Sequence, residues 1–259
     1  MNRWWLLFAI AFAGWPLGGW FAACIGEDPW HLLPLLAAFV LLVQADAPEK
    51  REAPPLGATI AMLAYAASQA FLTPSLQACL LVVAATLAAS PSFFQRRLEP
   101  AFGALLLLSL PVIPLLQLFV GYPLRVISGT LAAGLLRVSG LAAEHAGAVL
   151  CVEGEIFAVD APCSGIAMWW TALLIAAWVA ARSRASVGRT LLGALLATVC
   201  VIFCNGLRSA ALVQLQTMRF IVPDWMHEGV GLMTFALCAV GILFVLERAM
   251  RGGPRCSAS

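Results

Sequence analysis

Apolar stretches of membrane-spanning length recur along the whole chain, and no other feature restricts its fold so strongly. They run from Trp4 to about Ile25, His31 to Val43, Leu56 to Leu72, Leu76 to Ala89, Ala101 to Val120, Ile166 to Ala181, Thr190 to Leu215 and Gly229 to Leu246. A hydrocarbon core ~30 Å thick is crossed by ~20 apolar residues in helical form, because a helix satisfies its own backbone there. With 62% hydrophobic and 11% charged residues, a soluble globular domain is excluded. The expectation is an all-α polytopic membrane protein of about eight transmembrane helices. The first run is Trp-rich at both ends and long for a signal peptide, so it is read as an uncleaved span. Thr73-Pro74-Ser75 reads as a tight turn, and Pro111 and Pro114 as the cause of a kink in the fifth run.

Charge distribution sets an expected orientation. With Arg3 inside and about eight crossings, the inner set is Arg3, Lys50, Arg51, Arg96, Arg97, Arg182, Arg184, Arg189, Arg248, Arg251 and Arg255. The outer set is Arg125, Arg137, Arg208 and Arg219, so eleven cations stand against four. The positive-inside rule then places both termini in the cytoplasm. No basic cluster with interleaved aromatics is present, which argues against nucleic acid as a partner. The eight cysteines contain no C-x-x-C pair and suggest neither a zinc site nor a disulfide framework. No metal or cofactor is expected.

Between the fifth and sixth runs the pattern changes. Leu124 to Ala143 is amphipathic, with Arg125, Arg137, Glu144 and His145 at polar positions, and could lie at the membrane surface. Ala148 to Val159 alternates around Glu153-Gly154-Glu155 as a short β-hairpin would. The expected organisation is one integral membrane domain: five spans in 1–120, an outer-face segment in 121–162, three catalytic spans in 163–247 and a cytoplasmic basic tail in 248–259.

Chemistry concentrates at V-D-A-P-C-S-G-I, residues 159–166. Asp160 can cap a helix there and Pro162 fits its first turn, which leaves Cys163 at a helix N-terminus that favours a thiolate. Asp160 is also a neighbouring negative charge, which opposes that effect. The seventh run points outward and carries Arg208 about 27 Å beyond Thr190 at 1.5 Å per residue, near the outer edge of the hydrocarbon. Asn205 precedes it on the same face, which suggests a polar pocket rather than lipid. His227 precedes the eighth run at the same depth, and Glu228 either orients its imidazole or faces water. Thiol, guanidinium and imidazole on three consecutive spans suit acyl transfer: Cys163 as nucleophile, His227 as general base and acid, Arg208 as oxyanion or thiolate partner. The remaining cysteines, Cys200 and Cys204 included, are read as small packing residues.

These residues carry a family resemblance. V-D-A-P-C-S-G-I at 159–166, C-N-G-L-R-S-A at 204–210 and M-H-E-G at 226–229 resemble the exosortase/archaeosortase family of integral membrane transpeptidases. The likeness covers roughly Gly121 to Leu246, while the first four spans match in hydropathy alone. It implies that Cys163, Arg208 and His227 form the active site; Asp160, Ser164, Asn205 and Glu228 are the residues of this chain expected to support them. It further implies substrates among secreted proteins with a C-terminal Pro-Glu-Pro-type motif, a transmembrane helix and a basic tail. Cleavage would pass through a thioester, and a lipid-linked glycan is a possible acceptor. An inner-membrane enzyme with its site on the outer face is expected. The rival readings are a non-catalytic scaffold or transporter component for envelope polysaccharide export, and thiol redox chemistry between Cys163 and Cys151. No G-x-S-x-G or H-E-x-x-H supports a lipase or metalloprotease.

Overall fold

The computed structural model describes residues 4–45, 56–159, 164–217 and 224–251; the side chains of 4–8, 224–228, 250 and 251 are outside that description. The described chain is helical apart from one small sheet, and it forms two compact units. The first comprises Met1–Val112 with Ala177–Leu191, the second Ile113–Ala176 with Leu192–Ser259.

The first unit holds α1 (Trp4–Ala13), α2 (Gly18–Glu27), α3 (Leu32–Gln44), α4 (Leu56–Ser68), α5 (Pro74–Phe94) and α6 (Pro100–Leu108). The first apolar run is therefore not one straight helix. It breaks at a 3₁₀ turn, Trp15–Leu17, because Pro16 has no N–H to continue the ladder. Asp28 then caps a second 3₁₀ turn by accepting from Trp30 N at 3.2 Å, and the chain bends by 119° into α3. Between α4 and α5, buried Gln77 donates from Nε2 to Leu72 O at 2.9 Å and Ser68 O at 3.4 Å. It thereby supplies Leu72 O in the turn and adds to the Phe71 and Leu72 N–H groups that already donate to Ser68 O at 3.0 and 2.9 Å. Thr73 is extended and Pro74 opens α5, so the expected turn is present.

Loops expected on the inner side meet in this unit. Arg96 donates from Nη2 to Arg184 O at 2.8 Å and from Nη1 to Glu99 Oε2 at 3.1 Å. Gln44, Glu99, Arg182 and Arg184 line one cavity of about 170 Å³. The fifth run breaks completely rather than kinking. α6 stops at Leu108 and α7 (Ile113–Phe119) starts anew, with Pro111 in the gap and Pro114 in the first turn of α7.

The second unit contains α7, α8 (Gly121–Val138), most of α9 (Ile166–Arg182) and α10 (Val187–Thr217), and α11 (Asp224–Arg251). Its antiparallel sheet has the order β1 (Ala143–Ala146), β2 (Val149–Val152), β3 (Glu155–Ala158). β2 and β3 are the expected hairpin, with Glu153-Gly154 at its turn and Leu150 opposite Phe157. β1 is an additional strand in a stretch read as the end of an amphipathic helix. α8 does not lie free. Its small inner residues Ala132 and Ala133, with Leu136, form one core with Leu150 and Val152 of the sheet and Ala210 and Val213 of α10.

Three helices are long and apolar enough to span a bilayer: Pro74–Phe94, Val187–Thr217 and Gly229–Ala249. The number rises to five if each broken helix pair counts as one span. α4 and α9 are apolar but shorter, at 13 and 17 residues. The chain is thus a mostly helical membrane protein with three to five candidate spans among the described residues.

Candidate active site

Asp160 and Cys163 lie outside the described residues, and so does the expected helix cap that includes them. What is described is the segment immediately after the cysteine. α9 begins at Ile166, and Trp169 N donates to Gly165 O at 2.8 Å in its first turn. Gly165 has φ +79°, a left-handed conformation that an L side chain resists. Its space is also taken: a Cβ there would meet Asn205 Cγ at 2.9 Å. Ser164 is buried and donates from Oγ to Gln117 Oε1 of α7 at 3.0 Å. The same oxygen accepts from Ile166 N at 3.4 Å. The turn after Cys163 is therefore held by α7 on one side and α10 on the other.

Asn205 is 1% exposed, and its Nδ2 donates to Ser128 Oγ of α8 at 2.8 Å. One residue further on, Gly206 presses against Leu131, since a Cβ would stand 2.7 Å from Leu131 Cβ. These close approaches let α8 and α10 pack almost backbone to backbone. Asn205 thus works as a crosspiece between α8 and the Cys163 turn, a more specific role than its sequence position suggested.

Arg208 follows within the next turn of α10, and its guanidinium lies against α11. A Cβ on Gly231 would stand 3.1 Å from Arg208 Nη2 and 3.2 Å from Nε. Nε itself is buried without a hydrogen-bond partner among the described residues. A donor of that kind is costly to leave unmet in a dry site and suits an anionic or carbonyl oxygen arriving from a substrate. His227 falls in the first turn of α11, four positions before Gly231, so the two share a helix face by periodicity. The side chains of His227 and Glu228 lie outside the description.

Of the residues in the sequence reading, the structure sets Asn205 of α10 against Gly165, beside Ser164, and one turn before Arg208, and it adds Gln117, Ser128, Gly165 and Gly231 as their neighbours. Gly165 and Gly231 were readable in principle, as the glycine of the cysteine motif and as the residue one turn beyond His227. Ser128 lies 77 positions from Asn205 and sends no local signal. Arg125, whose buried Nε also has no hydrogen-bond partner among the described residues, sits over the Tyr122 ring at 5.6 Å. Arg137 donates to Ala143 O at 2.7 Å and anchors β1 to the end of α8. Among the described residues, no group of three or more His, Cys, Asp or Glu side chains is arranged to hold a metal ion. Cys204 and Cys238 meet between α10 and α11, as packing thiols, and Cys151 is a free, exposed cysteine on β2.

No curated protein and no solved structure matches the chain. A family model described as transmembrane exosortase (exosortase EpsH) matches residues 26–244, a stretch that contains every group just described from Gln117 to Gly231. The chain therefore belongs to the transmembrane exosortase family.

Proposed function

We propose that this exosortase is a cysteine transpeptidase in which Cys163, Arg208 and His227 act together at the outer membrane surface. Membership of the family implies processing of sorting signals; the finer steps are our reading of this chain's residues. The Cys163 thiolate attacks the scissile carbonyl carbon, and the electron pair moves onto oxygen. Arg208, with backbone N–H groups of the cysteine turn, stabilises that oxyanion. Collapse breaks the C–N bond, and His227, having taken the thiol proton, delivers it to the leaving amine. An acceptor nucleophile, a lipid-linked glycan or water, then attacks the thioester and gives its proton to His227, and the C–S bond breaks to return the thiolate. Asp160, Ser164, Asn205 and Glu228 support these groups.

The observation that carries this reading is the pair of glycine contacts. Gly165, two residues after Cys163, abuts Asn205 on α10, and Gly231, one turn after His227, abuts Arg208 on the same helix. The segments flanking all three reactive groups therefore adjoin within one compact unit. Substrates in this reading are secreted proteins ending in a Pro-Glu-Pro-type motif, a hydrophobic helix and a basic tail. An arrangement of about eight crossings with cytoplasmic termini and the basic tail 248–259 inside completes the proposal. The spans before 121 form a scaffold and those in 163–247 bear the chemistry, with 121–162 outside between them. The meeting of Gln44, Arg96, Arg182 and Arg184 at one end of the first unit supports that orientation.

The test is co-expression of a secreted reporter carrying such a signal. Wild type should yield a shortened product with a new C-terminus by mass spectrometry, and Cys163→Ala should yield none. Normal processing by Cys163→Ala would refute the nucleophile assignment.

A further inference from the structure

We infer that the open edge of β3 is the docking strand for the substrate peptide, which adds to the sheet as a fourth strand leading to Cys163. The inference rests on the transpeptidase reading above, since it identifies the occupant as an extended polypeptide next to its scissile bond.

Backbone parity shows what the edge offers. Val159 N donates to Ala148 O at 2.9 Å, and Val149 is paired with Ala158. Bonded pairs alternate along an antiparallel ladder, so Glu155, Phe157 and Val159 direct their polar groups to β2. Ile156 and Ala158 direct theirs away from it. β3 is the last strand of the sheet, and no described strand receives those groups. The opposite edge differs, because Arg137 already occupies Ala143 O on β1 at 2.7 Å.

The side chains agree. Phe157 packs toward the core, whereas Ile156 is 77% exposed. A β-branched apolar residue at an open edge is the kind of position that peptide recognition by strand addition uses: main-chain bonds hold the ligand and an alternate side chain gives preference. The occupant follows from where β3 leads. Cys163 is five residues beyond Ala158, a reach of at most ~18 Å. Val159 lies against Gly129 of α8, next to the Ser128 that holds Asn205. A strand docked beside Ile156 and Ala158 would therefore hold a peptide carbonyl within a few residues of the thiol.

Ile156→Pro deletes one outward N–H and leaves every bond to β2 formed from Glu155, Phe157 and Val159. With a reporter ending in a Pro-Glu-Pro-type motif, a hydrophobic helix and a basic tail, we expect KM to rise about tenfold. The rate of Cys163 alkylation by iodoacetamide should stay at the wild-type value, which shows that the turn is intact. If proline prevents folding, a benzophenone amino acid at position 156 in the Cys163→Ala protein serves instead. It should capture reporter residues beside the scissile bond, whereas the same probe at Glu144 on β1 should not. Unchanged KM in Ile156→Pro, or capture at 156 of lipid or of a second copy of this chain, overturns the inference. Processing by Cys163→Ala would instead overturn the catalytic reading, a result independent of where the reporter crosslinks.

Discussion

The two units treat buried polar groups differently. In the first, they mostly serve the backbone: Tyr65 Oη donates to Ala13 O at 2.6 Å, Gln77 to Leu72 O, and Ser90 Oγ accepts from Glu99 N at 2.8 Å. Each closes a turn or joins helices, and side chain meets side chain at the arginine cluster, Arg96 with Glu99, and at His31 with Asp28. In the second, side chains reach one another across elements: Ser164 to Gln117, Asn205 to Ser128, and Trp169 Nε1 to Thr198 Oγ1 at 2.8 Å. Beside them, among the described residues, the Nε donors of Arg125 and Arg208 are buried and unmet, whereas what the first unit leaves over is an acceptor, Glu99 Oε1. Polar groups that complete a fold leave little over, while a site holds donors in reserve for a molecule that is not part of the chain. In the function proposed above, that difference separates scaffold from machinery.

The sharpest way to break the contrast is to remove one arginine from each unit. Arg208→Ala should lower reporter processing by about a thousandfold, the cost of losing one oxyanion donor, with the protein still folded. Arg208→Lys should recover little, because an ammonium lacks the planar fork of donors. Arg96→Ala should instead lower the melting temperature in detergent and leave turnover per folded molecule unchanged. Equal losses of turnover from both would erase the distinction.

Next in size is Gly165→Ala. The left-handed backbone costs roughly 1–2 kcal/mol for an alanine, and the methyl would also strike Asn205 at 2.9 Å. Processing should fall roughly tenfold or more. In the double variant Gly165→Ala/Asn205→Ala the loss should be smaller than the sum of the single losses, because the clash is gone. Strict additivity, measured on the same reporter, would mean that the contact does not position the cysteine turn.

How far the sequence anticipated this arrangement follows from the reach of each signal. α10 was expected at Thr190 to Leu215 and is Val187–Thr217, because a continuous apolar run announces its own ends. The β2–β3 hairpin was legible because Val149 to Ala158 alternates about Glu153-Gly154. β1 was missed because Glu144 and His145, adjacent polar residues in a four-residue strand, break the alternation that marks a strand. The break at Trp15–Leu17 was missed because apolarity continues through Pro16, and hydropathy does not register a lost donor. Arg208 and Asn205 were readable as polar residues in an apolar run. Ser128 and Gln117 were not, since their partners lie 77 and 47 positions away.

Gly231→Ala should have a milder effect on the second unit. The new methyl would stand 3.1 Å from Arg208 Nη2, tight but against the far end of a flexible side chain. The guanidinium should shift by tenths of an ångström rather than leave. Processing should drop a few-fold through kcat, about the scale of 1 kcal/mol, while melting temperature holds. A larger residue, Gly231→Leu, should approach the loss seen with Arg208→Ala. If both glycine variants process at the wild-type rate, α11 does not set the guanidinium's position.

The smallest expected effect on turnover belongs to the first unit, and it tests the contrast from the other side. Gln77→Leu keeps side-chain volume nearly constant and removes the donor that serves Leu72 O and Ser68 O. Ser68 O keeps its backbone donors from Phe71 and Leu72, but leaving Leu72 O without Gln77 should cost about 1–3 kcal/mol of stability, read as a lower melting temperature in detergent. Gln77 makes its contacts within the first unit, so the folded fraction should turn over reporter at the wild-type kcat and KM. A changed KM with unchanged melting would mean that the α4–α5 turn takes part in substrate handling. The division between supporting and reactive polar groups would then have to be drawn through the first unit rather than around it.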